Sequence, residues 1–179
     1  MSSFISVRLG RLSTLGAIAI DDLSRLGDPT LRRLDLVPGI YNVFVEFTGD
    51  RKGPVIAYLA ITNEQHYPTL RSGAIASWTI DCVSGFVMIA DYGYALLASA
   101  DAERQAHQAI NRSHLRAAIT PVEATADLIS WDLGPMAVCE TGFGPGQYPL
   151  MVKWNLMAVS FLKRLASDSR VVLPSSAEA

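Results

Sequence analysis

The sequence contains no long uninterrupted apolar run, and none of its apolar stretches reaches the roughly 18 residues that a membrane-spanning helix requires. The N-terminal stretch MSSFISVRLGRLSTLG also lacks the continuous apolar core and the small-residue cleavage site of a signal peptide. We therefore expect a cytoplasmic protein that does not bind membranes.

Charged residues are also few, at 18% of the chain, and 15 basic and 17 acidic side chains leave a net charge of −2. A protein with this balance has no broad basic surface, so nucleic acid is not expected as a partner. Apolar residues make up 50% of the sequence, which indicates a well-buried interior or a surface that binds other molecules. The length of 179 residues suits one domain, which we place at residues 1–166, followed by a flexible C-terminal tail at 167–179.

Cysteine is scarce, and the two cysteines of the chain, Cys82 and Cys139, both lie in strand-like apolar segments. This placement favours buried free thiols in a reducing compartment, although a disulfide remains open. Neither cysteine has a second cysteine or a histidine at the spacing of a zinc site. The sequence therefore predicts no bound metal and no cofactor.

Alternation with period two dominates the patterns that are present. Residues 41–47 alternate after the turn Pro38-Gly39, and Val55–Ile61 returns after a polar connection, which predicts a β-hairpin. The same reasoning predicts further strands at Gly16–Asp22, Ile75–Cys82, Phe86–Ala90, Met136–Glu140 and Tyr148–Leu156, and leaves 157–165 as either a strand or a terminal helix.

One stretch, Tyr94–Ile119, is typical of a helix, because alanine is frequent in it and glycine and proline are absent until Thr120-Pro121. Whether it forms one helix or two, with a break near Asp101 or Asn111, remains open. Together these patterns predict an α+β fold, made mainly of antiparallel β-hairpins, with one main helical segment at about residues 94–119.

Two parts of the chain follow the same order of motifs. Pro38–Phe47 and Pro145–Trp154 both read Pro-Gly-x-Tyr followed by apolar positions that stay in phase. Each is preceded by glycine, an apolar run and aspartate, at Gly16–Asp21 and Gly85–Asp91. The shared order indicates a duplicated unit.

We interpret this pattern as an internal repeat of residues 14–62 and 83–165, packed as two similar halves about a pseudo-twofold axis. In that alignment Asp21 and Asp91 occupy equivalent positions. Coincidence remains the alternative, because strand-turn-strand segments draw on a restricted set of residues.

The same elements resemble a large, mostly bacterial family, domain of unknown function forty-two forty-one, over most of residues 14–165. The resemblance rests on four motifs in the family's order, at Gly16–Asp22, Pro38–Val45, Asp81–Asp91 and Thr141–Leu150. It implies kinship in fold and, because some relatives resemble immunity proteins of toxin systems, a toxin as partner.

This chain departs from the family pattern at the late turn. Pro145 stands where the family has aspartate, and Thr141 stands where it has serine. Any role of that turn carboxylate in metal binding or catalysis is therefore not expected in this protein.

Aspartates at strand ends are the strongest candidates for a ligand site. Asp21, Asp81 and Asp91 each follow or close a predicted strand, and converging carboxylates bind cations or act as general acids and bases. The competing interpretation is that each aspartate ends its strand by accepting hydrogen bonds from nearby backbone amides.

Aromatic residues beside the late turn are candidates for a protein interface. Phe143, Gln147 and Tyr148 flank Gly142–Gly146 and would anchor a partner if the turn is exposed. No serine, cysteine or histidine in the sequence has the partners of a catalytic nucleophile.

We therefore interpret the chain as a non-enzymatic cytoplasmic binding protein, specifically an immunity protein that neutralises a bacterial toxin by direct binding. The alternatives are a small-ligand-binding protein or hydrolase-like enzyme that uses the strand-end carboxylates, and a homo-oligomeric structural module.

Overall fold

The computed structural model describes residues 4–50, 53–65, 75–112, 116–120, 135–153 and 156–161. A short 3-10 turn, Leu23–Arg25, follows the second strand. No helix within the described ranges is long and apolar enough to span a membrane. The strands and helices follow the order β1 (Phe4–Thr14), β2 (Ala17–Asp22), β3 (Arg33–Asp35), β4 (Gly39–Asp50), β5 (Gly53–Thr62), β6 (Ile75–Cys82), β7 (Phe86–Asp91), α1 (Tyr92–Leu97), α2 (Ala100–Arg112), β8 (Ala117–Thr120), β9 (Met136–Glu140), β10 (Gly146–Lys153) and β11 (Leu156–Ser160).

These strands form two antiparallel sheets. Sheet A has the strand order β1-β4-β5-β11-β10-β6, and sheet B has the order β3-β2-β7-β9-β8. Helices α1 and α2 follow β7 in the chain and pack on sheet B. The predicted α+β fold, with antiparallel hairpins and one main helical segment, is confirmed.

The main core lies between the two sheets. It forms because every second residue of the strands points to the same side, so the period-two pattern of the sequence becomes one continuous apolar layer. Its largest fully buried members come from both sheets and include Leu12, Ile18, Ile20, Leu59, Ile61, Ile80, Ile89, Tyr148 and Leu150. A second cluster, on the other face of sheet B, is covered by α1 and α2 through Ala95, Ala106 and Ile110.

The two halves of the chain have the same strand order. In sheet A, β1-β4-β5 of the first half corresponds to β6-β10-β11 of the second, and the halves meet where β5 pairs with β11. In sheet B, β3-β2 corresponds to β9-β7, and the halves meet where β2 pairs with β7. The helices and β8 are additions to the second half, between β7 and β9.

The two Pro-Gly-x-Tyr strands occupy corresponding places in these halves. Tyr41 in β4 pairs with Leu12 of β1, and Tyr148 in β10 pairs with Ile80 of β6. Both hydroxyls donate to a carbonyl four residues earlier in the chain, at 2.8 Å from Tyr41 and 2.5 Å from Tyr148. Descent of the halves from a duplicated segment stays a prediction.

The predicted helix at 94–119 ends earlier than its alanine content indicated. Ala98 has extended backbone angles and separates α1 from α2, and residues 117–120 form strand β8, which pairs with β9. The backbone of Arg116, at a φ of 54°, cannot continue a right-handed helix. Pairing with β9 and the contact of Ile119 with the core therefore override the helix propensity of the alanines.

Two predictions fall partly or wholly outside the described residues. The flexible tail at 167–179 and the domain boundary at 166 cannot be compared with the structure, and both stay predictions. The segment at 157–165 begins as strand β11, which ends at Ser160, so its described part is a strand.

Glycines precede β2 and β7 because the backbone there has positive φ. Gly16 has a φ of +128° and Gly85 a φ of +82°, conformations that side chains with a Cβ rarely adopt. Both turns connect a strand of sheet A to a strand of sheet B, so they set how the two layers are joined.

We expect Gly85→Ala to lower the free energy of unfolding by about 1–2 kcal/mol, because alanine is strained at positive φ. Gly39→Ala is the matched control, since nothing lies within 4 Å of its added Cβ and its φ is not positive. Urea unfolding of the two variants measures the difference. Equal stability of both would contradict the assigned turn geometry.

Candidate functional site

Two strand-end aspartates, Asp22 and Asp91, have the same backbone conformation and start the same kind of turn. Asp22 ends β2 at φ −61° and ψ 137°, and Asp91 ends β7 at φ −57° and ψ 135°. One carboxylate oxygen of each accepts a hydrogen bond from the amide two residues later, at 2.8 Å for Ser24 and 2.9 Å for Gly93. Each aspartate is therefore the N-cap of the helical turn that follows its strand.

The second oxygen of each carboxylate binds the other half of the molecule. Asp91 Oδ2 accepts from the amide of Leu15 at 2.8 Å, in the turn that leads into β2. Asp22 Oδ2 accepts from the amides of Val83 at 2.6 Å and Ser84 at 2.8 Å, in the turn that leads into β7. The bonds are reciprocal, because each half supplies the carboxylate that orders the turn of the other half.

Asp22 is fully buried and is surrounded by hydrogen-bond donors. It accepts hydrogen bonds from the backbone amides of Ser24, Val83 and Ser84, from the hydroxyls of Ser24 and Ser84, and from the thiol of Cys82. Burial alone would raise the pKa of the Asp22 carboxyl, but bonds from Ser24, Ser84 and Cys82 outweigh it and lower the pKa below its usual value. The group is therefore an ionised structural carboxylate whose acceptor positions are occupied.

Asp21 has a different role and is not the counterpart of Asp91. Ile20 of β2 and Ile89 of β7 both face the main core, and each lies two residues before its strand-end aspartate. The twofold relation that keeps the two isoleucines on the same face therefore matches Asp22 with Asp91. Asp21 accepts from the amide of Arg32 at 3.0 Å and pairs with Arg25 at 3.2 Å. It connects β2 to the segment before β3, and the alignment made from the sequence was shifted by one residue.

The structure does not bring Asp21, Asp81 and Asp91 together in one site. Asp21 lies opposite Met88 in the β2–β7 pair, so it is three residues from Asp91 along the strands, or roughly 10 Å. Asp81 is exposed in β6 of the other sheet and accepts from Gln147 Nε2 at 2.8 Å. Across the described residues, no group of three or more His, Cys, Asp or Glu side chains is placed to hold a metal ion.

The late turn exposes only part of the predicted partner site. Phe143 is 44% exposed, and Gln147 is exposed beside Asp81. Tyr148 is 1% exposed and packs edge-on against Phe161, with ring centroids 5.4 Å apart. Burial raises the pKa of the Tyr148 hydroxyl, and the residue is part of the core and not a surface anchor.

Both cysteines are free and buried, as the sequence favoured. Burial raises the pKa of Cys82 to about 12, and burial also raises the pKa of Cys139. Because the thiolate is the reactive form of cysteine, neither group is poised as a nucleophile at neutral pH.

Sequence reasoning missed an apolar surface at the end of the molecule where the Asp91 turn lies. Three exposed aliphatic side chains belong to it, Leu15 at 87%, Val37 at 76% and Ile40 at 61%, together with Tyr94 at 40%. We call these four residues the turn-end patch. The signal that would have revealed it is an apolar residue inside a predicted turn, as at Leu15 before Gly16 and at Val37 before Pro38-Gly39.

Backbone contacts hold the members of the turn-end patch close together. The amides of Leu15 and Tyr94 donate to the same carboxylate, that of Asp91. The turn containing Leu15 is joined to the segment containing Val37 by a hydrogen bond from Leu36 N to Gly16 O, at 2.9 Å. Ile40 pairs with Ser13 of β1, two residues before Leu15. The patch is therefore a preformed surface on ordered backbone.

Comparison of the chain with protein-family models, with curated proteins and with solved structures found no match. The resemblance described under the sequence therefore stays a prediction.

We expect Asp22→Asn to lower the free energy of unfolding at pH 7 by about 2–4 kcal/mol, because an amide cannot accept all the bonds that the carboxylate accepts. Since folding lowers the pKa of Asp22, its stabilisation is complete above the unfolded pKa and is lost as the pH falls through the folded pKa. Because Asn does not titrate, the free energy of unfolding of Asp22→Asn should fall less than that of the wild type as the pH is lowered.

Urea unfolding between pH 7 and pH 2 measures both effects. Asp81→Asn is the matched control, because Asp81 is exposed and bonds only to Gln147 among the described residues. An Asp22→Asn variant as stable as the control at pH 7 would contradict the structural role assigned to Asp22.

Proposed function

We propose that this protein is a non-enzymatic cytoplasmic binding protein, and specifically an immunity protein that neutralises a bacterial toxin by direct binding. The observation that carries the proposal is the turn-end patch, because exposed aliphatic side chains grouped on one surface are typical of protein interfaces. The proposed partner surface is thereby moved from the late turn to the end of the molecule where Asp91 lies.

The residues that correspond to the turn-end patch in the other half are not apolar, which supports a role of the patch in binding. Leu15 corresponds to Ser84, because both amides bind the reciprocal aspartate of the other half. Val37 corresponds to Gly144, because each provides the carbonyl that accepts from the corresponding tyrosine.

The remaining two members follow the same rule. Ile40 and Tyr94 correspond to Gln147 and Arg25, at the matching positions before the tyrosine and after the aspartate. The fold therefore accepts a polar residue or glycine at all four places, and packing does not account for the apolar residues of the patch. We attribute these apolar residues to recognition of a partner.

Rigidity of the patch favours binding. Asp91 and the Leu36–Gly16 hydrogen bond order the backbone before any partner arrives, so little conformational entropy is lost on association. Full burial of one aliphatic side chain of this size contributes about 1.5–3 kcal/mol. Half-burial of two such side chains therefore contributes about 1.5–3 kcal/mol in total, which changes affinity by one to two orders of magnitude.

The alternative with strand-end carboxylates receives less support. Asp21 and Asp91 are each less than 4% exposed, and their oxygens accept hydrogen bonds from backbone amides and Arg25. A carboxylate in that state is a poor general base and a poor cation ligand, because a substrate would have to displace bonds that hold the fold.

We expect Leu15→Ser/Val37→Ser to lose protection against the toxin. The test is co-expression with the protein encoded by the adjacent gene in the native host, with growth as the readout, followed by affinity measurement on the purified pair. The wild-type chain should restore growth and form a stoichiometric complex, and the double variant should bind about 10- to 100-fold more weakly.

Val83→Ser/Phe143→Ser is the matched control at the opposite end of the molecule, where Val83 is 74% exposed. It should bind like the wild type. Loss of binding in this control alone would return the partner surface to the late turn. A toxic neighbour that the wild-type chain neither binds nor neutralises would overturn the immunity function.

A further inference from the structure

Strand β1 lies at one edge of sheet A. It is 11 residues long, and among the described residues it pairs in sheet A only with β4. An edge strand of this length offers a row of backbone donors and acceptors to another extended chain. The side chains of β1 that flank this edge determine which kind of extended chain it would bind.

A β-bulge places two arginines on the same face of this edge. Arg8 pairs with Phe44 and Arg11 pairs with Asn42, with the register shift between Arg8 and Gly10. Residues three apart in a regular strand point to opposite faces, but the extra residue, Leu9, restores Arg8 and Arg11 to one face. Their partners in β4 are two residues apart, so the guanidinium groups start roughly 7 Å from each other along the strand.

Both arginines are exposed and form no ion pair with the described residues. This differs from four other arginines of the described chain, which all have acidic partners: Arg25 with Asp21, Arg33 with Asp35, Arg104 with Asp101 and Arg116 with Glu140. The exposed face of β1 therefore carries two positive charges that form no ion pair with the described residues, and the acidic residue of β4 on this face, Glu46 opposite Ser6, is buried.

We propose that β1 binds an extended acidic segment of a protein partner by strand addition, with carboxylates at alternate positions pairing with Arg8 and Arg11. Alternate side chains of an added strand lie on one face and repeat every 7 Å or so, which matches the separation of the two arginines. The inference rests on the proposed binding function, because β1 runs directly into Leu15 of the turn-end patch.

A second copy of this chain fits the edge less well. Antiparallel pairing of β1 with itself in the register that sets Arg8 near Arg11 would bring like charges together, which is destabilising on neighbouring strands. The acidic partner is favoured because it neutralises both charges while its backbone completes the edge.

The probe is a fluorescein-labelled nine-residue peptide of alternating glutamate and valine, and its binding is measured by fluorescence anisotropy against the full chain. We expect saturable binding that Arg8→Glu/Arg11→Glu weakens at least tenfold, because attraction becomes repulsion. Arg104→Glu/Arg112→Glu changes the net charge equally on helix α2 and should bind within about twofold of the wild type. Thermal unfolding establishes that both variants are folded.

Two further peptides separate strand addition from simple charge attraction. A lysine–valine peptide should not bind, and a glutamate–valine peptide N-methylated on alternate residues should bind at least tenfold more weakly, because one row of its backbone donors is blocked. Equal binding of the methylated peptide, or no binding of the parent peptide, overturns the proposal. Self-association of Arg8→Glu/Arg11→Glu without peptide binding by the wild type would show that the arginines only prevent edge pairing.

Failure of the strand-addition proposal can be distinguished from failure of the proposed immunity function. A toxin that binds Arg8→Glu/Arg11→Glu as tightly as the wild type would overturn strand addition and leave the immunity function intact. Peptide binding by a chain that neutralises no toxin would support the acidic-strand site and remove the proposed function.

Discussion

The reciprocal hydrogen bonds of Asp22 and Asp91 are the constraint on which the arrangement of the two halves depends. Each carboxylate ends its own strand, caps the turn that follows and binds the backbone of the turn in the opposite half. Because the acceptors are charged and buried, leaving them unsatisfied would cost far more than an exposed polar contact contributes. The same contacts position Leu15 at the surface, so the constraint that joins the halves also orders the proposed interface.

Period-two alternation was sufficient to predict most of the sheet strands, because a buried face selects apolar residues at every second position. The hairpin that begins at Pro38-Gly39 forms as the sequence indicated. The strand that follows Pro145-Gly146 also forms, but it ends at Lys153, and Leu156 belongs to the next strand, β11. The competing interpretation of the strand-end aspartates also fits the structure, since Asp21, Asp22 and Asp91 all accept bonds from backbone amides.

Other features depend on contacts that a local pattern does not contain. Residues 117–120 are alanine-rich, and only the partner strand β9 makes them a strand. The match of Asp22 with Asp91 follows from the face of sheet B that each residue of β2 and β7 occupies, which an alignment of two continuous apolar runs leaves uncertain by one residue. The bulge at Leu9 likewise decides whether Arg8 and Arg11 share a face, and neither arginine is unusual in the sequence.

The exchange of carboxylate hydrogen bonds between the halves has a consequence for how the molecule opens. The amide of Leu15 is protected by a carboxylate 76 positions later in the chain, and the amide of Ser84 by one 62 positions earlier. The amides of Leu15 and Ser84 have no carboxylate acceptor until the opposite half has folded, so the fluctuation that frees one amide also disturbs the other. The two halves should therefore act as one cooperative unit in hydrogen exchange, despite the similarity of their strand order.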